Sequence, residues 1–326
     1  MQCDVSSQPL SIDVRGAGIA GCQNLAGDLH WAPEKVSAST DGGVVVFCFP
    51  GGGMSRHYFD LTVEGYSMAA HLASSGFVVV TIDHPGVGDS DVPDDPWVLT
   101  PERVADIDAV AVGQVLGRIR SGAVPGVPPW NPALVVGSGH SAGALVVIHQ
   151  QSRHAIFGAV SLLGWAGHGL PQHLDEQERD LGGRPLTEEA LIAAARRRHG
   201  EALAELPRGS SSWLVANEMP EQVHAALVAA RSPLLSVVGL ASMIPGGATR
   251  AAAEIDVPVF VGVGENDIAT DPLDIPAEFP ASPDVTLYVL PQAGHNHNVE
   301  PNRADLWNRV AEWISSLTPK PGSSAG

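Results

Sequence analysis

Short runs of apolar residues, each ending near a turn rich in glycine or proline, alternate with helical segments along this chain. Parallel strands need a crossover connection, and a helix usually supplies it, so this alternation predicts an α/β fold with a mostly parallel sheet and helices on both faces. Functional residues in such sheets are expected at the carboxyl ends of the strands. The runs that predict strands are Val44–Phe49, Phe77–Ile82, Ala133–Val136, Phe157–Leu163, Val257–Val263 and Val285–Leu290.

Several helix and strand boundaries are also visible in the sequence. Thr100 stands at a favoured N-cap, Pro101 follows at the first helical position, and apolar residues then recur at helical spacing. Another amphipathic helix is predicted over Arg303–Leu317. Two β-like runs, Leu10–Val14 and Gly27–Trp31, precede the others, so we expect a twisted sheet of about eight strands.

The rhythm changes between residues 165 and 253. Helical segments such as Thr187–Arg198 and Pro220–Ala230 occur there without strand signals between them. We therefore predict a helical cap over residues 165–253, inserted between two parts of one core, residues 1–164 and 254–318. Residues 319–326 are expected to be a disordered tail.

Charge and composition exclude some classes of function. A formal net charge of -18 argues against binding nucleic acid or an anionic membrane, since each needs a basic surface. The sequence shows no basic leader and no apolar run long enough to span a bilayer. Cys3, Cys22 and Cys48 lack metal-type spacing and favour a reducing compartment. We expect a cytoplasmic protein with a small-molecule substrate; a homo-oligomer stays open.

One short motif carries most of the chemical information. The run Ala133–Val136 leads into Gly139-His140-Ser141-Ala142-Gly143, and a helix is predicted from about Ala144. Strand, turn and helix in this order form an elbow that exposes a strained serine, and its flanking glycines make room for neighbouring elements. A serine becomes a nucleophile when a base accepts its proton and an acid orients that base. The alternative for so short a motif is a Gly/Ser turn without function.

With this elbow the chain resembles the α/β-hydrolase superfamily over nearly its whole length, which implies the order nucleophile, acid, histidine. Asp267 is the candidate acid because it follows the predicted strand Val257–Val263. Glu265 and Asp271 are near rivals, and an aspartate in a turn is the structural alternative. Some members place the acid after the preceding strand, but residues 163–167 contain no carboxylate, which favours Asp267.

His295 is the candidate base. Gly294-His295 follows the predicted strand Val285–Leu290 and matches the superfamily's Gly-His step. His297 is the other candidate for the base. Otherwise its side chain is expected to lie behind the catalytic residues or to face the cap. Histidines two residues apart, without a nearby cysteine or carboxylate in the sequence, are weak evidence for zinc. We expect neither a metal nor a cofactor.

The segment Pro50-Gly51-Gly52-Gly53-Met54 stands where members of the superfamily carry a His-Gly oxyanion loop. We expect the backbone N–H groups of Gly52 and Ala142 to stabilise the oxyanion, with Gly53 as the alternative. Pro50 replaces the usual histidine, which leaves the donating glycine open. A tight loop without catalytic purpose is also possible for three successive glycines, because glycine is flexible.

Other residues have weaker assignments. The segment Asp83–Ser90 resembles the superfamily's turn after its fourth strand and is interpreted as structural. His140 is interpreted as a packing or polar-network residue. Trp165, Met243 and Ile244 are candidates for an apolar substrate pocket under the cap, although such residues more often belong to a core.

The resemblance implies a serine hydrolase that cleaves a carboxylic ester or lactone through an acyl-enzyme on Ser141. The serine at the elbow excludes relatives that use an aspartate nucleophile. The Pro50–Met54 loop and the Asp83–Trp97 segment are also similar to those of bacterial zearalenone lactonases. That similarity implies a bulky hydrophobic macrolactone, such as zearalenone, as substrate.

Two alternatives stay open. Phe47-Cys48-Phe49-Pro50, together with the elbow motif, is similar to acyl-thioesterases of polyketide and peptide assembly, although those enzymes usually lack the Asp83–Ser90 turn. The other alternative is a non-hydrolysing receptor, because a fold does not dictate a function. Retention of the serine, aspartate and histidine argues against a receptor.

Overall fold

A computed structural model describes residues 4–36, 43–182, 186–206, 214–268 and 271–318. The predicted tail, residues 319–326, and Cys3 lie outside these ranges. Eight strands form the main sheet, in the order β1-β2-β4-β3-β5-β6-β9-β10. The strands, including two outside that sheet, are β1 (Ser6–Asp13), β2 (Asn24–Trp31), β3 (Val44–Phe49), β4 (Val78–Ile82), β5 (Leu134–His140), β6 (Ala159–Leu163), β7 (Leu203–Ala204), β8 (Leu234–Leu235), β9 (Val259–Gly264) and β10 (Val285–Leu290).

The sheet is parallel from β4 to β10, while β2 is antiparallel to its neighbours β1 and β4. This arrangement confirms the predicted fold class. The strand β5 runs farther than its apolar segment predicts, up to His140, because hydrogen bonds to β3 and β6 on either side hold its glycine-containing end. The carboxyl end of β5 therefore lies in the middle of the sheet.

The helices cover the two faces of the sheet. Thr100 caps α3 as predicted, since its hydroxyl accepts a hydrogen bond from Arg103 N at 3.4 Å. The α-helices are α1 (Pro33–Val36), α2 (Met68–Ser74), α3 (Pro101–Ser121), α4 (Ala142–His154), α5 (Glu176–Arg179), α6 (Glu188–His199), α7 (Glu221–Ala229), α8 (Ser236–Met243), α9 (Thr249–Ala253) and α10 (Arg303–Leu317).

Alternate residues of β3 pack into opposite layers. Val45 and Phe47 belong to the apolar core that includes α3 and α4, whereas Val46 and Cys48 belong to the core that includes α2 and α10. All four side chains are buried, so β3 is fixed on both faces. The loop that follows β3 therefore starts from a rigid position.

The described part of residues 165–253 contains helices α5–α9 and a two-stranded antiparallel ribbon, β7 with β8. The sequence does not predict this ribbon, because strands of two residues are too short to leave a periodic pattern. The separation of this segment as a cap domain stays a prediction. Within the described ranges, no helix has the length and apolar character that crossing a membrane requires.

Candidate active site

Ser141 lies in the tight turn between β5 and α4, with φ 54° and ψ -120°. A non-glycine residue with positive φ is strained. The Ser141 N–H donates to the Leu163 carbonyl at 2.7 Å, and this hydrogen bond holds the serine in the turn. A Cβ on Gly143 would collide with the carbonyl groups of Phe49 and Pro50. Glycine at position 143 thus lets the end of β3 approach the elbow, as the motif predicts.

Asp267 and His295 meet at the carboxyl ends of β9 and β10. His295 Nδ1 lies 2.7 Å from Asp267 Oδ1, and the two side chains are 4% and 0% exposed. Burial raises the pKa of Asp267, but the neighbouring His295 and His297 outweigh it and hold this pKa well below its usual value. The carboxylate therefore stays ionised and orients the His295 ring. The rival acids Glu265 and Asp271 are exposed.

The second oxygen of Asp267 is bound by His297. Its Nε2 lies 3.0 Å from Asp267 Oδ2, and Gly264 N donates to the same oxygen at 3.2 Å. His297 is buried, with its Nε2 turned to the carboxylate. This contact makes His297 a support for the acid and leaves His295 as the histidine on the side of the serine.

Ser141 and His295 line one cavity of about 30 Å³. Among the described residues, the Ser141 hydroxyl makes no hydrogen bond to His295, a contact that often forms only in the substrate complex. The volume holds about two water molecules, so a bound substrate has to displace lining side chains. The other lining residues are Gly164, Trp165, Ala166, Gly169, Leu170, Ser242 and Ile268.

Close packing brings Gly164 against the imidazoles. A Cβ on Gly164 would lie 2.9 Å from His295 Cε1 and 3.3 Å from His297 Cε1, and the φ of this residue is 63°. Only glycine fits this position without moving the rings. The backbone after β6 therefore packs directly against the His295 ring.

The glycine loop after β3 lies beside the elbow. Met54 N donates to Gly51 O at 3.2 Å, which closes a turn, and a Cβ on Gly52 would lie 3.8 Å from Ala142 Cβ. In the described part of the chain, the N–H groups of Gly52 and Ala142 make no hydrogen bond to another backbone group. They are available for a ligand oxygen.

Gly53 has different surroundings. It packs against Leu206, and its carbonyl accepts a hydrogen bond from Ser232 N at 3.0 Å. Gly52 is favoured over Gly53 as the partner of Ala142, because the Cβ position of Gly52, and not that of Gly53, has Ala142 among its nearest neighbours.

The three candidates for a substrate pocket differ in position. Trp165 is buried in the cavity wall, and its ring centroid lies 5.8 Å from that of Phe279. Within the described lining, Met243 and Ile244 are absent, because their backbone packs behind Gly169. These two residues stand one layer away from the space beside Ser141.

His140 connects the elbow to the histidine loop. Its Nε2 donates to the His295 carbonyl at 2.9 Å. Burial, together with nearby His295 and His297, holds the pKa of His140 well below its usual value, so the ring is neutral. His140 thus belongs to a polar network behind the site.

Glu300 was missed by sequence reasoning. This buried carboxylate accepts hydrogen bonds from Gly294 N at 2.9 Å, Ala216 N at 2.7 Å and Asn217 Nδ2 at 2.7 Å. It joins residues 214–217 to the loop that carries His295. Its sequence signal is weak, since an acidic residue after a turn is usually exposed.

Comparisons with known proteins agree with this architecture. The sequence model of a family described as "Alpha/beta hydrolase family" matches residues 45–305. No curated protein matches the chain.

Solved structures with low sequence identity share the fold. An esterase from Thermogutta terrifontis is 19% identical over 96% of this chain and 100% of its own, with a TM-score of 0.56. A carboxyl esterase from Bacillus coagulans is 15% identical over 96% and 99%, with a TM-score of 0.61. An N-acyl homoserine lactonase solved with N-hexanoyl homoserine is 19% identical over 98% and 100%, with a TM-score of 0.55.

Proposed function

Because the chain belongs to the alpha/beta hydrolase family, we propose that it is a serine hydrolase that cleaves a carboxylic ester or lactone through an acyl-enzyme on Ser141. The observation that carries this proposal is the hydrogen bond of 2.7 Å between Asp267 and His295, at the cavity that His295 shares with Ser141. An acid, a base and a strained serine follow the carboxyl ends of three parallel strands, β9, β10 and β5.

The geometry supports the following reaction. Ser141 Oγ attacks the substrate carbonyl carbon while His295 Nε2 accepts the hydroxyl proton. The N–H groups of Gly52 and Ala142 donate to the oxyanion as it forms. His295 then donates the proton to the leaving oxygen, and the acyl group stays on Ser141. A water molecule releases it by the same steps, with His295 again as base.

The candidate esters and lactones differ in size, and the volume beside Ser141 distinguishes between them. The cavity beside Ser141 is about 30 Å³, so a small ester or lactone has to displace fewer of its lining side chains than a large substrate does. A macrolactone of zearalenone size has to displace more of the residues that line this cavity. The lactonase with N-hexanoyl homoserine makes a small lactone a reasonable member of the test panel.

The test is a panel of short and long aryl esters, N-hexanoyl homoserine lactone, zearalenone and an acyl-thioester. It is run with the wild type, Ser141→Ala and Ser242→Ala. Ser242 is the matched control, because it lines the same cavity while its hydroxyl binds the Gly239 carbonyl at 2.8 Å. We expect turnover to be lost in Ser141→Ala and kept in Ser242→Ala.

A fluorophosphonate probe, read by mass spectrometry, adds a measurement that does not depend on the substrate. An adduct on Ser141 supports the nucleophile. Equal turnover by the wild type and Ser141→Ala would exclude the serine mechanism, and binding without turnover by either would favour a receptor.

A further inference from the structure

A second histidine–aspartate pair lies beside the glycine loop, and none of the reaction steps described above uses it. His84 follows β4, and Asp108 lies in the middle of α3. His84 Nδ1 is 2.6 Å from Asp108 Oδ2, and His84 Nε2 is 3.2 Å from the Pro50 carbonyl oxygen. Both side chains are buried. The pair thus connects the core helix α3 to the first residue of the loop.

The hydrogen-bond partners of the His84 ring determine which of its nitrogens is protonated. The Pro50 carbonyl can only accept, so His84 Nε2 must carry a hydrogen and donate it. The short contact on the other side then holds one further proton between Nδ1 and the Asp108 carboxyl group. Asp108 therefore orients His84 as Asp267 orients His295.

Burying this pair costs desolvation free energy, which a purely structural contact would have to offset. Asp108 is fully buried, and among the described residues its Oδ1 has no hydrogen-bond partner. A buried pair of this kind is weak evidence for stability, because desolvation opposes the attraction between its members. The His84 ring also lies against Phe49, with centroids 5.8 Å apart, and lines a small cavity together with Gly52 and Ala142.

The other end of the loop is held by the residue next to His84. Asp83 accepts a hydrogen bond from Arg56 N at 2.6 Å. Asp83 and His84 thus bind the two ends of the segment 50–56, and Gly52 lies between these anchors. A loop of three glycines has little rigidity of its own, so its shape depends on such contacts.

We propose that His84 is a positioning residue for the oxyanion loop: its Nε2–H holds the Pro50 carbonyl, which keeps the Gly52 N–H beside that of Ala142. This inference rests on the proposed function, because it assigns His84 a role in that reaction. An oxyanion donor acts only when it is already in place, and its loss costs about 10²–10³ in kcat. Partial misplacement of the loop is expected to cost less.

The test compares His84→Leu, which removes the donor, with His84→Gln, whose amide can donate to Pro50. Val112→Ala is the control, since Val112 is buried one turn after Asp108 on α3. We expect His84→Leu to lower kcat for a short ester about 10- to 100-fold at nearly constant KM. His84→Gln should recover most of this loss, and Val112→Ala should stay within about twofold of the wild type.

Two measurements separate this inference from the proposed function. Hydrogen exchange of residues 49–54 should be faster in His84→Leu than in Val112→Ala, whether or not the protein hydrolyses esters. In the wild type, the ring ¹⁵N spectrum of His84 should show a protonated Nε2. An unprotonated Nε2, unchanged kcat in His84→Leu, or equal losses in the Leu and Gln variants would overturn the proposal.

Discussion

At the scale of single residues, two histidines donate to one carboxylate and differ in what else they contact. We expect His295→Ala to lower kcat/KM by about 10⁴ or more, because it removes the base. His297→Ala removes only one donor to Asp267, so we expect a loss of about 10- to 100-fold, the value of a hydrogen bond to a charged group. Steady-state kinetics of both variants checks this order. Equal losses would contradict the assignment of His295 as the base.

Asp267 also gives a prediction for pH and stability. Its pKa is below the usual 3.8 in the folded protein, so the folded state is stabilised above that pH. We expect Asp267→Asn to cost roughly 2–4 kcal/mol of unfolding free energy at neutral pH. The difference from the wild type should shrink as the pH falls below about 4 toward the folded pKa. Urea denaturation at several pH values measures the difference in unfolding free energy between the variant and the wild type. A difference that stays constant with pH would contradict the prediction.

At the scale of elements, Glu300 joins residues 214–217 to the His295 loop. Glu300→Ala leaves the N–H groups of Gly294 and Ala216 without this acceptor, so we expect a loss of roughly 3 kcal/mol in unfolding free energy. Hydrogen exchange should rise in residues 214–217 and 292–297, while α3 stays protected. Glu265→Ala is the control, because Glu265 is exposed and its carboxylate accepts a hydrogen bond from Gln292 N on the same loop. Equal effects of the two variants would show that Glu300 does not connect residues 214–217 to the His295 loop.

Sequence reasoning predicts the elements that have strong local signals. Thr100 with Pro101 marks the start of α3, and the apolar run 285–290 coincides with β10. The sequence also predicts that Asp267 and His295 follow the ends of two strands. Contacts between distant segments leave no such signal: Asp108 reads as an ordinary charge in a helix, and only the folded chain brings it to His84.

The same limit applies to the Ser141 cavity. Trp165 can be selected from the sequence because it follows a strand of the sheet. Leu170 and Ser242 line the cavity because of the path that residues 165–253 take through the fold, and helical periodicity does not reveal that path. The volume available to a substrate is likewise set by packing, so the sequence predicts the chemistry of the site better than its size.

At the scale of the whole molecule, 36 acidic and 18 basic residues give a formal net charge of -18. Self-repulsion at this charge opposes the compact state, and salt screens it. Raising NaCl from about 0.01 to 0.5 M should therefore stabilise the folded state by roughly 1 kcal/mol, which raises Tm by about 1–2 °C for a chain of 326 residues. Calorimetry at neutral pH and near pH 4 tests this, since protonated carboxylates repel less. The same rise at both pH values would point to a general salt effect.

The order of strands in the sheet has a consequence for synthesis. Ser141 follows β5 in the middle of the sheet, whereas Asp267 and His295 follow β9 and β10 at one edge. A ribosome delivers the elbow long before it delivers these partners, and domains generally fold as units. A nascent chain that ends before β10 therefore carries Ser141 without His295, its proposed base. The proposed mechanism therefore predicts that activity appears in one step, when β9 and β10 have added to the sheet beside β6.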